Sequence, residues 1–285
     1  MSLEVISYSE LAKFDTCKRQ YFYTFELGLR PLTETEAIAT GIKGHKLLQS
    51  FYECMKMGKT REESIDIIQH RAKELIKSMH PVEVGAILKA WNMVDNYIRK
   101  TDFGTKKVAL VENRFLLPAS ILSPDNPVLE HIQIGFTPDV VFERTGGWLD
   151  VEDSKFIGKA WPEAKLEHFR QNKLYYIFLK QMGYKVSRCS VRFFNTTTGK
   201  VSEKNDTISL TEEFNIIQDF IRGLEEVVAY RNLSYEEKEL SRRTMNYHTC
   251  QFCAFYRPCK LEEQGKDVTN MLKHQYQVTD YDYTK

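Results

Sequence analysis

The sequence predicts an α/β fold with a helical N-terminal half, because the spacing of its apolar residues changes along the chain. Through the first hundred residues these side chains recur at helical spacing. The segments that follow are short and rich in β-branched and aromatic residues, with glycine, proline and asparagine between them. Helical and strand-like segments then alternate. We therefore expect a mixed central β-sheet flanked by helices, preceded by a helical part.

The individual elements follow from caps, breakers and periodicity. Ser7 and Ser9 are suitable N-caps for a first helix that continues to about Phe25 and is broken at Pro31. Three more helices are expected at Ala37–Met55, Arg61–Ser78 and Val82–Arg99. The later elements are, in order, strands at Val108–Leu117, Ile132–Phe142 and Trp148–Phe156, a helix at Glu163–Met182, a strand at Val186–Asn195 and a helix at Leu210–Arg231.

Composition and charge exclude several classes of protein. Of the 285 residues, 42% are hydrophobic and 12% aromatic, which is enough for a core and excludes a wholly disordered chain. The sequence contains neither an apolar run long enough for a membrane helix nor a secretory signal at its start, so we expect a cytoplasmic protein with no membrane partner. The net charge of +1 argues against a surface coated with basic residues but permits a local basic groove.

The segment GFTPDVVFERTGGWLDVEDSK contains the clearest candidate site. If Thr145, Gly146 and Gly147 form a hairpin loop, Arg144 faces Trp148 and Asp139 lies opposite Asp153. Alternation then puts Asp153 and Lys155 on the apolar face of the strand, whereas Asp150, Glu152 and Ser154 point away. Two opposed carboxylates suit a hard divalent cation. The alternative is an exposed hairpin with a solvated acidic face.

Two helical segments add further polar candidates. Gln171 and Tyr175 are four residues apart on the apolar stripe of their helix, so both should face inward, as site residues or as an ordinary buried polar pair. His45 lies in GIKGHKLLQ, where a lone helical histidine is by itself a weak signal. Glu112, on the preceding strand, is a further acidic candidate, although a structural ion pair is the favoured interpretation.

The six cysteines fall into two groups. Cys250, Cys253 and Cys259 have the tight spacing of soft-metal ligands, and either Cys17 or His248 could supply the fourth ligand. From spacing alone, zinc and an iron–sulfur cluster are nearly balanced. Cys54 and Cys189 lie within apolar patterns and should be inert buried thiols.

These motifs together resemble the iron–sulfur RecB-like branch of the PD-(D/E)XK nuclease superfamily, which includes the AddB nuclease domain and the CRISPR-associated adaptation exonucleases. The resemblance covers nearly the whole chain: SYSELAKFDTCKRQYFY, GIKGH, GFTPD, EDSK, QNKLY and the last three cysteines occur in the order of that branch. One departure is Phe156, directly after the lysine, where the branch commonly has threonine.

The resemblance implies a restriction-endonuclease-like core with a Mg²⁺ or Mn²⁺ site. By that likeness His45, Asp139 and Asp153 would ligate the metal with the carbonyl of Ser154, and Lys155 would activate water. Gln171 and Tyr175 would position groups of the site or the DNA strand. Cys17, Cys250, Cys253 and Cys259 would hold a four-iron four-sulfur cluster, so the resemblance, not the spacing, favours iron over zinc.

The resemblance also implies one nuclease domain over residues 1–285. Its parts would be a helical segment (1–104), a catalytic core (105–232), a cluster region closing on Cys17 (233–262) and a peripheral polar tail (263–285).

The implied function is a metal-dependent DNA exonuclease of a prokaryotic or phage-infected cell. It would act on single strands or DNA ends in recombination, repair or phage- or CRISPR-type DNA processing, with a helicase or recombination protein as a partner. The alternative is a non-catalytic iron–sulfur accessory factor that binds DNA. Side chains in or beside the motifs that would contact DNA are Lys18, Arg19, Lys43, Lys46, Lys159, Lys165, Arg170 and Lys173, with Tyr21, Tyr23 and Trp161 as stacking aromatics. For any one of them, a solvated cation or a core aromatic is the more ordinary role.

Overall fold

A computed structural model of the chain describes residues 3–33, 35–77, 81–104, 106–158, 170–244 and 246–279. The chain divides into two units. The first is formed by Met1–Glu34, Phe115–Phe136 and Ile217–Lys285, and the second by Thr35–Arg114 and Thr137–Ile216.

After a helix-rich start the chain forms a run of strands, which helices and further strands follow, and its last described part is mainly helical. The strands are β1 (Glu4–Ser7), β2 (Leu29–Pro31), β3 (Lys107–Val111), β4 (Phe115–Pro118), β5 (Ile132–Phe136), β6 (Val140–Arg144), β7 (Trp148–Ile157), β8 (Val186–Asn195), β9 (Val201–Asp206) and β10 (Tyr276–Val278). The α-helices are α1 (Tyr8–Thr16), α2 (Lys18–Tyr21), α3 (Glu36–Lys56), α4 (Arg61–Ile76), α5 (Pro81–Lys100), α6 (Arg170–Gln181), α7 (Leu210–Arg231), α8 (Tyr235–Glu239), α9 (Tyr247–Cys250), α10 (Tyr256–Glu263) and α11 (Thr269–Gln275).

The second unit is built on a mixed sheet of β3, β6, β7, β8 and β9, in that order. Strand β7 pairs antiparallel with β6 and parallel with β8, so it lies in the interior of the sheet with a hydrogen-bonded neighbour on each edge. Helices α3, α4 and α5 share a hydrophobic core with one face, in which Phe51, Val140, Phe142 and Phe194 are almost completely buried. Helix α6 contacts β7 and β8. The fold class is therefore the predicted one, a mixed sheet flanked by helices.

The first unit contains two small sheets. Strand β5 lies between β1, which runs parallel to it, and β4, which runs antiparallel. Strand β2 pairs with β10, which lies within the segment expected to be a peripheral polar tail. The Tyr276 side chain is buried, and its hydroxyl donates to the carbonyl of Ala254 at 2.7 Å, which ties this segment to the unit.

Two predicted strands are each divided in the structure, so the single-strand predictions are wrong. The segment Val108–Leu117 splits because Glu112 has a φ of 45°, a left-handed conformation that ends the extended chain after β3. The segment Ile132–Phe142 splits between Phe136 and Val140, where Pro138 lacks the backbone N–H that a strand ladder needs. In both cases the two halves belong to different sheets.

The first predicted helix is also interrupted. Ser7 caps α1 as expected, accepting a hydrogen bond from the backbone N–H of Glu10. The chain then becomes extended at Cys17, with φ of −167° and ψ of 116°, before α2 begins. Strand β9 was missed because its sequence, VSEKND, has no apolar alternation and it lies at the edge of its sheet. Among the described residues no helix is both long and apolar enough to cross a membrane.

Candidate functional site

The hairpin of β6 and β7 carries the two acidic motifs. Arg144 pairs with Trp148 as predicted, and Gly146 and Gly147 turn the chain with φ values of 84° and 75°. The ladder continues to the pair of Val140 and Glu152. Asp139 precedes this last pair by one residue, and its carboxylate Oδ2 accepts a hydrogen bond from the backbone N–H of Ser154 at 2.7 Å. The two aspartates therefore lie at the same end of the hairpin.

Helix α3 and the end of β3 bring two more side chains to Asp139. His45 lies on α3 with its Nδ1 3.2 Å from Asp139 Oδ2. Glu112 follows β3, and its backbone N–H donates to the carbonyl of Asp139 at 3.0 Å. One donor atom from each of His45, Glu112 and Asp139 lies within 4.8 Å of the others, which is a spacing that one metal ion can bridge.

The electrostatics of this group are unfavourable without a cation. Burial, reinforced by the charge of Asp139, raises the pKa of Asp153 to about 6. The same two causes raise the pKa of Glu112 to about 7. Burial alone would lower the pKa of His45, but the hydrogen bond and charge of Asp139 outweigh it and the pKa is raised. Crowded, partly buried carboxylates beside an imidazole fit a divalent cation, so these residues suit the metal that the sequence motifs imply.

A hydrogen-bonded series leads from Asp153 to α6. The Lys155 Nζ lies 2.8 Å from Asp153 Oδ2 and donates to Gln171 Oε1 at 2.9 Å. The Gln171 amide donates in turn to the Tyr175 hydroxyl at 2.7 Å. Burial, reinforced by the charge of Asp153, raises the pKa of Tyr175, so its hydroxyl stays neutral. Gln171 and Tyr175 thus hold the lysine in place beside the acidic group.

The other face of β7 is acidic but not solvated, so the alternative of an exposed hairpin is wrong. Asp150, Glu152 and Ser154 are each at most 1% exposed, and Tyr52 of α3 lies against Glu152. Glu152 accepts two hydrogen bonds from Arg192, at 2.7 and 2.6 Å. Asp150 accepts from Arg144 and, at 3.0 Å, from Arg188. These carboxylates are neutralised by arginines and are not available to a metal.

Glu112 is the residue that sequence reasoning undervalued. It lies with His45 and Asp139, whereas the sequence favoured a structural ion pair. Its position follows from the pairing of β3, which Glu112 directly follows, with β6 in the same sheet. That pairing, however, depends on a turn that the sequence pattern did not predict.

The four cysteines of the C-terminal and N-terminal motifs line one small cavity in the first unit. Cys17, Cys250, Cys253 and Cys259 surround it together with Arg19 and Arg243 among other side chains. Burial raises the pKa of Cys253 to about 11 and also raises that of Cys259. Burial acts the same way on Cys17, but hydrogen bonds from Thr244 and nearby backbone outweigh it and lower the pKa. Four cysteines that line one cavity with two arginines beside them are donors of the type that a soft metal centre uses, and no three of their sulfur atoms lie within 4.8 Å of one another.

The remaining candidate ligands lie elsewhere. His248 is exposed with its ring against Tyr247, and it is not among the residues that line the cavity. Cys54 is buried in α3 and Cys189 in β8, as expected for inert thiols. None of the six cysteines forms a disulfide bond.

Several side chains expected to contact DNA are unavailable. Tyr21 and Tyr23 are at most 1% exposed, so they are core aromatics and cannot stack on bases. Arg19 is buried against Glu262, and Lys173 is held by Asp206 and Glu212. Lys18 and Lys43 form ion pairs with glutamates. Lys46 and Arg170 are exposed, and Lys159, Trp161 and Lys165 lie outside the described residues.

Comparison with known proteins identifies the family. A sequence model of the PD-(D/E)XK nuclease superfamily matches residues 5–260. No curated protein matches the chain. The solved structure described as "Crystal structure of SSO0001" is 14% identical to this chain, covering 90% of it and 85% of its own chain with a TM-score of 0.44, a similarity too low to carry an argument. The match of the family model covers most of the sequence, and the chain therefore belongs to the PD-(D/E)XK nuclease superfamily, whose members are nucleases that use divalent metals such as Mg²⁺ or Mn²⁺.

Proposed function

We propose that this protein is a metal-dependent DNA exonuclease whose active site is formed by His45, Asp139, Asp153, Lys155 and the backbone of Ser154. The observation that carries the proposal is the group of His45, Glu112 and Asp139 donors within 4.8 Å of one another, beside a lysine held between Asp153 and Gln171. Membership of the superfamily supports metal-dependent cleavage of DNA. We infer the exonuclease mode and the preference for single strands or DNA ends from the resemblance of the sequence motifs to the RecB-like branch.

The metal ligands would be His45, Asp139 and Asp153, with the carbonyl of Ser154, and Glu112 joins them as a fifth candidate. When bound, the divalent cation would act as a Lewis acid, polarising the phosphate and lowering the pKa of a coordinated water. An imidazole nitrogen among carboxylates favours a transition ion over Mg²⁺, so we expect Mn²⁺ to bind more tightly.

Lys155 has two roles that follow from its contacts. Its ammonium lies 2.8 Å from Asp153, so it offsets the negative charge of a carboxylate that burial would otherwise neutralise by protonation. Its contact with Gln171 and, through the amide, with Tyr175 fixes the direction of a long flexible side chain. A fixed ammonium at this position would stabilise the charge that develops on the phosphate as the bond to the leaving oxygen breaks.

A nuclease assay with an EDTA control tests the proposal. We expect cleavage of linear DNA with Mn²⁺ or Mg²⁺ that is abolished by EDTA, by Asp153→Ala and by Lys155→Ala, with circular dichroism spectra unchanged. A linear duplex, a linear single strand and a covalently closed circle separate the modes, since an exonuclease leaves the circle intact. Undiminished cleavage by both variants would refute the site. Metal-independent DNA binding without cleavage by the wild type would favour the accessory factor.

We further propose that Cys17, Cys250, Cys253 and Cys259 hold a four-iron four-sulfur cluster. Their convergence on one cavity, which His248 does not line, supports Cys17 as the fourth ligand. Protein purified without oxygen should contain iron and sulfide and absorb visible light, and Cys17→Ser should remove that absorption while His248→Ala keeps it. A colourless protein with one zinc per chain would contradict the cluster.

A further inference from the structure

Phe156 directly follows Lys155 in β7, and its ring occupies the space beside α3 where a side chain at position 44 would lie. A Cβ atom placed on Gly44 would be 2.2 Å from the Phe156 Cζ, and 2.4 and 2.6 Å from its two Cε atoms. Non-bonded carbon atoms do not approach this closely. The ring of Phe156 and any side chain at position 44 therefore exclude each other.

The glycine is not required by the local backbone. Gly44 lies inside α3 and is not among the glycines with positive φ, so any residue could adopt its conformation. A glycine in the interior of a helix weakens it relative to alanine. The ring of Phe156 is thus the feature of the structure that accounts for a glycine next to His45.

The Phe156 ring is held on one side and contacts His45 on another. It stacks on Phe194, its partner in the β7–β8 register, with centroids 4.6 Å apart and planes 11° from parallel. Phe194 is completely buried, so this contact anchors the ring to the core. The ring then meets the His45 imidazole edge to face, with centroids 5.5 Å apart and an interplanar angle of 61°.

The imidazole is therefore constrained at two points. Asp139 Oδ2 lies 3.2 Å from Nδ1, and Phe156 covers part of the ring, whereas the His45 side chain as a whole is 31% exposed. A partly exposed histidine on a helix otherwise samples several rotamers. An imidazole held in one rotamer loses less conformational entropy when it binds a metal.

We propose that Phe156 is a positioning residue for His45, and that Gly44 and Phe156 form a matched pair that orients the imidazole toward the Glu112 and Asp139 oxygens. This rests on the proposed metal site. Phe156 touches neither metal nor substrate in this account. It acts through the histidine, and at this position the resembling branch commonly has threonine in place of an aromatic ring.

Binding of Mn²⁺, measured by the electron paramagnetic resonance signal of the free ion, tests the proposal without DNA. We expect Phe156→Leu to weaken Mn²⁺ binding about tenfold, the lower end for loss of a group that orients a metal ligand. Phe51→Leu is the matched control, because Phe51 is a buried aromatic of the same core that contacts Tyr52 and Phe103. It should lower the melting temperature yet keep wild-type affinity.

The matched pair gives a second, independent comparison. Gly44→Ala should weaken Mn²⁺ binding because the added methyl displaces the ring. Combining it with Phe156→Leu should add no further loss beyond Phe156→Leu alone, since a smaller side chain leaves room for the methyl. Additive losses in the double variant would overturn the matched pair, and equal affinity of Phe156→Leu, Phe51→Leu and wild type would overturn the positioning role.

A spectroscopic measurement on the metal-free protein separates this inference from the proposed function. The ring current of Phe156 should shift the imidazole proton signals of His45, assigned by their loss in His45→Gln. Phe156→Leu should move those signals toward ordinary values and Phe51→Leu should not. If wild type binds no Mn²⁺, the proposed metal site fails whatever the spectra show. If wild type binds Mn²⁺ but its His45 signals are unaffected by Phe156→Leu, the positioning role alone fails.

Discussion

Replacing Asp153 by asparagine should stabilise the metal-free protein while abolishing its activity. The Asp153 side chain is 2% exposed, and burial next to Asp139 raises its pKa from 3.8 to about 6. Raising a pKa by one unit corresponds to about 1.36 kcal/mol, so the rise from 3.8 to about 6 lowers the free energy of unfolding by about 3 kcal/mol at pH 8, where the carboxylate is ionised. Asparagine has nearly the same shape and no charge. Asp153→Asn should therefore raise the free energy of unfolding by about 1–3 kcal/mol, a range that includes the loss from the weakened contact with Lys155.

The stabilising effect of Asp153→Asn should be larger at high pH than at low pH. Because the pKa of Asp153 is raised in the folded protein, the folded state holds the proton more tightly than the unfolded chain. The destabilisation by ionised Asp153 is therefore complete above pH 6 and about half as large at pH 5. It is absent below pH 3.8, the ordinary pKa of an aspartate. The advantage of Asp153→Asn should shrink in the same range.

Thermal unfolding in EDTA at pH 8 and pH 5 measures this advantage, and each kcal/mol corresponds to about 2–4 °C for a unit of this size. Asp150→Asn is the matched control, since Asp150 is equally buried in the same strand but accepts hydrogen bonds from Arg144, Arg188 and Ser187. Asp150→Asn should lower the free energy of unfolding by about 1–3 kcal/mol, because it removes the charged acceptor of these hydrogen bonds. The reasoning is refuted if Asp153→Asn destabilises the protein as Asp150→Asn does, or if its effect is the same at both pH values.

Two further predictions concern the same unit. Glu152→Gln should lower the free energy of unfolding by about 3–5 kcal/mol, because it leaves the buried guanidinium of Arg192 without its main charged partner. Urea denaturation measures this loss. A change under about 1 kcal/mol would contradict the prediction. Mn²⁺ affinity should rise as the pH increases from about 6 to 8, since the raised pKa values of Asp153 and Glu112 make protons compete with the metal. Titration calorimetry in buffers of different ionisation enthalpy should detect the released protons, and equal heats in all buffers at pH 6.5 would argue against the competition.

The sequence was sufficient for the parts of the fold and site that depend on short-range pattern. The hairpin register from Arg144 and Trp148 follows from a glycine loop and strict alternation, and α7 and β8 have the predicted bounds. The contact of Gln171 with Tyr175 follows from their spacing on one helix. Each of these depends on geometry within a few residues.

The features that the sequence did not predict depend on distant neighbours. Glu112 joins His45 and Asp139 only because a left-handed turn ends β3, and that turn is stabilised by the carbonyl of Asp139, which lies far along the chain. Glu152 is buried against Tyr52 of α3, and Arg192 of β8 neutralises its charge. The role of Gly44 depends on an aromatic ring from another element. Single-sequence patterns carry no information about such partners.

The pairing of β2 with β10 affects when the first unit can fold during synthesis of the chain. Tyr276 pairs with Pro31, and Cys17 shares its cavity with Cys250, Cys253 and Cys259, so the first unit needs residues from both ends of the described chain. At about 5–20 residues per second, a ribosome needs roughly 12–50 s to synthesise the intervening chain. The second unit, complete at Ile216, can form during that interval. Until those three cysteines are synthesised, the thiol of Cys17 is open to oxidation. Assembly of the proposed four-cysteine site should therefore depend on the redox state of the cell during synthesis.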